Sequence, residues 1–159
     1  MLSDGALLGF LQRVELAVVA LYAQATTVVG SPDATAAIGA FAVHHRAHAR
    51  AFAQLAGPDA VDGPTPAIIE ALQPTSLLVS ERDGLAFLHT LESRLAATQH
   101  AVLGRLAGAA TIALCATTLP VECQHGVVLG TLLSLPLADL VPTAQGDDGH
   151  IAPEQFVVS

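Results

Sequence analysis

Four long apolar stripes at helical spacing restrict this chain most, because each is broken near its middle by a carboxylate or an imidazole. Apolar residues recurring three and four positions apart share one side of an α-helix. The first stripe runs Leu8, Leu11, Glu15, Val18, Tyr22, and the second Ile38, Phe41, His45, His48, Phe52, Leu55. The third runs Leu85, Leu88, Glu92, Leu95, Gln99, Val102, Leu106, and the fourth Cys115, Thr118, Glu122, His125, Leu129, Leu132. Every stripe therefore puts an ionisable group where a core residue is expected.

Punctuation between the stripes sets the elements. A first helix is predicted over 3–28, capped by Ser3 and stopped by Gly30, Ser31 and Pro32. The second starts with Ser31 as N-cap and Pro32 at the first helical position, and ends at Gly57 and Pro58. A loop rich in Asp, Gly and Pro over 58–66 leads to a short helical piece, 66–72. Ser80 followed by Asp83 resembles a capping box and opens the third long helix, which runs to 107. The fourth spans 109–133 and contains Pro120, a residue that can kink it. From Pro136 the pattern dissolves into Pro, Gly and Asp, with Ile151 and Phe156 to Val158 as the last apolar anchors. The expected architecture is all-α: an antiparallel four-helix bundle over 1–135, with a long crossover between its second and third helices. An irregular C-terminal tail, 136–159, is expected to pack on it.

Composition narrows the partners. The 159 residues suffice for one domain, and the 52% hydrophobic content is dominated by the helix formers Ala and Leu. With a formal charge of -8 the chain lacks the basic surface that nucleic acids or anionic membranes require. The charge-free run from Leu106 to Val121 is shorter than the ~20 residues of a membrane-spanning helix, so a buried helix is expected there and no span. The N-terminus carries no basic n-region, and a cytoplasmic location is expected. Cys115 and Cys123 lie eight apart on one predicted helix, a separation of about 12 Å that no disulfide bridges.

An unpaired buried carboxylate costs several kcal/mol, and three converging carboxylates repel one another. A divalent metal ion removes that cost by binding the anions directly. Residues three apart share a helix face, so Glu122 and His125 can reach one ion together, as can His45 and His48. A single core His or Glu is ordinarily satisfied by hydrogen bonds. Four helices with such groups at matching depth point instead to one site made of Glu15, His45, His48, Glu92, Glu122 and His125.

On these residues the chain resembles the ferritin-like superfamily of carboxylate-bridged di-metal proteins. There the first and third helices each give a Glu, and the second and fourth each give Glu-x-x-His. The fourth-helix motif stands here as Glu122-Cys-Gln-His125, and the single glutamates match Glu15 and Glu92. The second helix departs: it reads His44-His45-Arg-Ala-His48, so His45 holds the place of a bridging glutamate. The resemblance implies Glu122 as bridge, Glu15 and Glu92 as terminal ligands, and nitrogen from His45, His48 and His125. It implies iron or manganese as the metal, with oxidoreductase chemistry such as ferrous-ion oxidation or peroxide or oxygen handling. Imidazole in the bridging position shifts the expectation towards a single ion, and towards metals that accept nitrogen, such as zinc, copper or nickel.

Around this set, Tyr22 and Gln99 are expected to hydrogen-bond the ligands, since ligating His and carboxylate groups normally have such partners. His44 points about 100° away from His45, as a supporting or surface group, and His89, one turn before Glu92, is a candidate supplementary or supporting group against a surface role. His100 and His150 are assigned to solvent, and Arg46, Arg50 and Arg94 to acidic partners. No phosphate loop, nucleophile elbow or Cys-x-x-Cys motif is present. A homodimer is expected, because helices this apolar leave surface to bury. The rival reading is a non-catalytic helical scaffold or interaction module in which Glu and His form a partly protonated network.

Overall fold

The structure, a computed structural model, describes residues 2–140 and 149–156. Val157 and Val158 of the expected C-terminal anchor, and residues 141–148 of the tail, lie outside the described residues. Every regular element among the described residues is helical: α1 (Asp4–Ala25), α2 (Pro32–Ala56), α3 (Pro66–Leu72), α4 (Glu81–Leu103), α5 (Ala109–Leu132) and α6 (Leu137–Leu140).

The local signals explain most of the boundaries. Ser3 caps α1, its hydroxyl accepting from Ala6 N at 3.1 Å. Ser80 and Asp83 cap α4 reciprocally: Asp83 N donates to Ser80 Oγ at 3.2 Å, and Ser80 Oγ donates to Asp83 Oδ2 at 2.7 Å. Pro32 and Pro66 open α2 and α3, where a missing N–H costs nothing. α2 stops at Gly57, whose φ of 59° falls in the left-handed region open to glycine. Ser31 stands at the α2 N-cap position, but its side chain makes no capping bond. α1 ends at Ala25 rather than at 28, because Thr26 to Val28 tighten into turns with bonds to Tyr22, Gln24 and Ala25 carbonyls. α4 ends at Leu103 rather than at 107, unwinding through Gly104 and Arg105.

α1 packs along α2, and α4 along α5; α1 also meets α4, and α2 meets α5. Polar clamps tie the helix ends across the chain. Asp4, in the first turn of α1, accepts from Gly108 N at 2.8 Å and Thr111 Oγ1 at 2.6 Å, so it supplies the cap that Gly108 cannot give α5. Glu81, in the first turn of α4, accepts from Gly30 N at 2.8 Å and Ser31 N at 2.7 Å in the α1–α2 link. Gln12 holds the crossover down, donating to Val61 O at 2.7 Å and accepting from Val61 N at 2.8 Å.

α1 is the central helix. Leu7, Leu8, Phe10, Leu11, Val14, Val18, Leu21 and Tyr22 are all buried, joined by Ile38 and Phe52 of α2, Ile68 of α3 and Leu88, Leu91 and Leu95 of α4. Ile151 from the tail is buried, and Phe156 stacks on Phe10 with ring centroids 6.2 Å apart. Leu55, expected in the core, is 43% exposed. At about 100° per residue the steps 3-4-3-4-3 from Ile38 to Leu55 fall short of five full turns, so Leu55 stands about 100° round the helix from Ile38. α1 and α5 have the length and hydropathy (1.6 and 1.3) of membrane-crossing helices, properties that an inner helix shares; α1 is 67% buried and α5 33%.

The α1–crossover contact depends on Gly9. A Cβ there would lie 2.4 Å from Asp59 O, a backbone atom that cannot swing aside. Gly9→Ala is expected to destabilise the fold by about 1–3 kcal/mol. Urea denaturation checks this, and an unchanged midpoint would show that the crossover does not press on α1.

Candidate metal centre

The six residues singled out from the stripes meet in one place. α1 brings Glu15, α2 His45 and His48, α4 Glu92, and α5 Glu122 and His125. Glu15, His45, Glu92 and Glu122 are fully buried, His125 is 2% exposed, and His48 is half-buried at the edge. They form two overlapping groups, Glu15–His45–His48–Glu122 and His45–Glu92–Glu122–His125, with ligand atoms in each group within 4.8 Å of one another. His45 and Glu122 belong to both.

His45 lies between the two outer carboxylates. Its Nδ1 is 2.8 Å from Glu15 Oε2, and its Nε2 is 3.0 Å from Glu92 Oε1. Glu122 also faces both groups: Oε1 lies 2.7 Å from His48 Nδ1, and Oε2 lies 3.3 Å from His125 Nδ1. His125 Nδ1 is 3.4 Å from Glu92 Oε2.

Several of these close approaches are not hydrogen bonds. His48 Nδ1, Glu92 Oε2, Glu122 Oε2 and His125 Nδ1 are buried without an aligned hydrogen-bond partner among the described residues. Unpaired buried polar atoms are rare and costly, and here four of them converge. Ligands at about 2.0–2.1 Å around a tetrahedral ion stand about 3.3–3.4 Å from one another. The 3.3 and 3.4 Å separations from His125 Nδ1 to Glu122 Oε2 and Glu92 Oε2 match that edge. Two edges of a ligand triangle are thus in place, and the group can hold a metal ion.

A layer of polar contacts supports the Glu/His cluster. The Tyr22 hydroxyl donates to Glu92 Oε1. Gln99 Nε2 donates to Glu15 Oε1 at 3.0 Å and, more weakly, to Glu122 Oε1 at 3.4 Å. Thr118 Oγ1 donates to Gln99 Oε1 at 3.0 Å, which fixes the amide with its NH2 towards the carboxylates. Thr118 stands on the fourth stripe one turn before Glu122, and that spacing is the only sequence signal of its part here. Phe41, a core residue of the second stripe, stacks its ring on His125 at 4.0 Å.

The remaining expectations divide. His44 is exposed and yet reaches the site, with Nδ1 2.9 Å from His125 Nε2. His89 does not join the ligands' hydrogen-bond partners among the described residues; its Nε2 is buried, and a Cβ on Gly130 would stand 3.2 Å from it. On α4 it projects towards α5 and α6 rather than inward, which is why one-turn spacing from Glu92 was not enough. His100 is exposed as expected, whereas His150 is half-buried and has interactions. Arg94 donates through Nε to Gly149 O at 3.0 Å instead of to an acid, because the tail runs beside it; Arg105 makes an ion pair with Glu154. Both cysteines are free.

Protonation follows from burial set against neighbouring charge. Burial alone would lower the basicity of His45, but Glu92 and Glu122 outweigh it and hold its pKa well above the ordinary value. Burial likewise works against charging His48, and its contacts with Glu122 and Glu15 raise it to about 9. His125 is raised, against burial, by Glu122 and Glu92. Burial pushes Glu15 and Glu92 up, but His45 and its neighbours bring both below the usual carboxylate range. Glu122 is the exception: burial and the charge of Glu15 keep it raised. Burial and Glu92 push Tyr22 far above 10, so it stays a neutral donor.

No family model, curated protein or solved structure matches the chain. The site is therefore read from its own chemistry.

In the metal-free protein His48 has a folded pKa of about 9 against an ordinary 6.5. A raised pKa contributes stability that is complete below the unfolded value and is lost as pH rises through the folded one. Metal-free protein is thus expected to lose stability between pH 6.5 and about 9, measured by denaturant midpoints across that range with chelator present. His48→Leu should flatten this part of the profile, and an unchanged slope would refute the assignment.

Proposed function

We propose that this chain is a metal-binding protein of the ferritin-like kind, with α1, α2, α4 and α5 forming an antiparallel four-helix bundle around a transition-metal site. The observation that carries this reading is the set of buried, unbonded atoms on Glu92, Glu122 and His125, with both carboxylate oxygens 3.3–3.4 Å from His125 Nδ1. Glu122 serves both halves of the site, while Glu15 and Glu92 are the outer carboxylates. His48 and His125 offer nitrogen at opposite ends, and His45 stands where the family resemblance would put a second bridging carboxylate.

The donor set, three imidazoles and three carboxylates, suits zinc or copper as well as the iron or manganese implied by the resemblance. A redox-active ion bound there would supply electron transfer to a small oxidant or substrate, and the site would be that of an oxidoreductase. The chain's own part is to hold the ligands rigid, exclude water from α1 and α4, and manage protons. Imidazoles with raised pKa values must give up protons when they become ligands, so binding should release protons and tighten as pH rises. A second copy of the chain is the proposed partner, and it would cover Ile112 and Val128, which are 38% and 40% exposed on opposite flanks of α5.

A second reading has its own observation. His45 hydrogen-bonds Glu15 and Glu92 at once, so an imidazolium there joins the outer carboxylates without an ion, as a helical scaffold would require.

Elemental analysis of protein purified without added metal separates the two. Near-stoichiometric iron, manganese, zinc or copper is expected, lost in Glu122→Ala and His125→Ala. Absence of metal, together with stability unchanged by chelator, would leave the scaffold reading.

A further inference from the structure

We infer that His44, an exposed residue of α2, is the positioning residue for His125: it accepts the Nε2 proton of His125 and so presents Nδ1 of His125 to the metal. This inference rests on the metal-binding reading of the site.

The geometry supports it from three directions. First, His125 Nδ1 is the inward nitrogen, buried without an aligned hydrogen-bond partner and 3.3 and 3.4 Å from Glu122 Oε2 and Glu92 Oε2. A neutral imidazole that offers one nitrogen as a ligand carries its hydrogen on the other. The hydrogen of His125 then sits on Nε2, and His44 Nδ1 stands 2.9 Å away to receive it. Second, the ring of His125 is held from two sides: Phe41 stacks on its face at 4.0 Å and 23°, and His44 lies edge to edge with it, only 15° from coplanar, as an in-plane hydrogen bond requires. Third, the sequence places the acceptor by helical rotation. His44 and His45 are consecutive and about 100° apart, so one turns into the core between Glu15 and Glu92 while the other turns to α5.

A ligating His is usually anchored by a carboxylate or a backbone carbonyl. Here the anchor is a neutral imidazole at the surface. The ligand's orientation is therefore set from outside the core, by a residue that can be changed without opening a cavity.

Two substitutions separate acceptor from packing. His44→Phe keeps a flat ring against His125 and excludes water, but offers no acceptor. His44→Asn places an amide oxygen close to where Nδ1 stood. Binding of Zn2+ and Co2+ is measured against a competing chelator, and the visible spectrum of the Co2+ form reports ligand geometry. His44→Phe is expected to weaken binding by about 10–100-fold and alter the Co2+ spectrum, with His44→Asn restoring both to near the parent. In the zinc-loaded parent, imidazole 15N resonances should show His125 bound through Nδ1 with a hydrogen on Nε2. Equal affinity of the parent and His44→Phe, equal losses in both variants, or His125 bound through Nε2 would each overturn the inference while leaving the metal site standing. A parent chain that takes up neither ion would overturn the metal reading and this inference together.

Discussion

Three carboxylates and three imidazoles share the interior of this protein, and the rest of the structure is arranged around the cost of keeping them there. Glu15, Glu92 and Glu122 would repel one another strongly in a low-dielectric core. In the metal-free chain, protons on His45, His48 and His125 offset that repulsion, which is why the imidazoles are raised and two of the three carboxylates are lowered. A metal ion would take over the same task and release the protons.

The surrounding packing serves this arrangement. The apolar residues of α1 above and below Glu15 exclude water, and Tyr22 and Gln99 direct donors at the carboxylates, with Thr118 orienting the Gln99 amide. Their donors leave specific oxygens uncommitted: Tyr22 and His45 occupy Glu92 Oε1, while Glu92 Oε2 stays unbonded. That asymmetry marks the direction in which an ion would sit. The end clamps matter for a related reason. Asp4 on α5 and Glu81 on the α1–α2 link tie helices from distant parts of the chain together, and small axial slips would separate the ligands.

Much of this was legible beforehand. Ser3, Pro32, Gly57, Pro66 and the Ser80–Asp83 pair mark helix ends through bonds made within a few residues, so local sequence suffices to read them. The six site residues were legible because burial of an ionisable group on an apolar stripe is a conflict that needs a resolution. Other features gave weaker signals. His44, open to a supporting or a surface role, is exposed with its Nδ1 2.9 Å from His125 Nε2, whereas His89, one turn before Glu92, turns towards α5 and α6. Leu55 fell off its stripe because rotation accumulates along a long helix.

By itself, then, the amino-acid order determined where the long helices would form, most of what they would bury, and which buried residues would need a partner. These follow from backbone capping, helical periodicity and the solvation cost of charge, all of which act locally or one residue at a time. Only the tertiary structure decided who the partners are. That His45 spans Glu15 and Glu92, that Thr118 orients Gln99, and that Asp4 caps a helix beginning 105 residues later are matters of which helix lies beside which. Contacts between distant segments depend on packing angle and axial offset, to which no single stripe is sensitive, and the buried Glu/His cluster rests on those contacts.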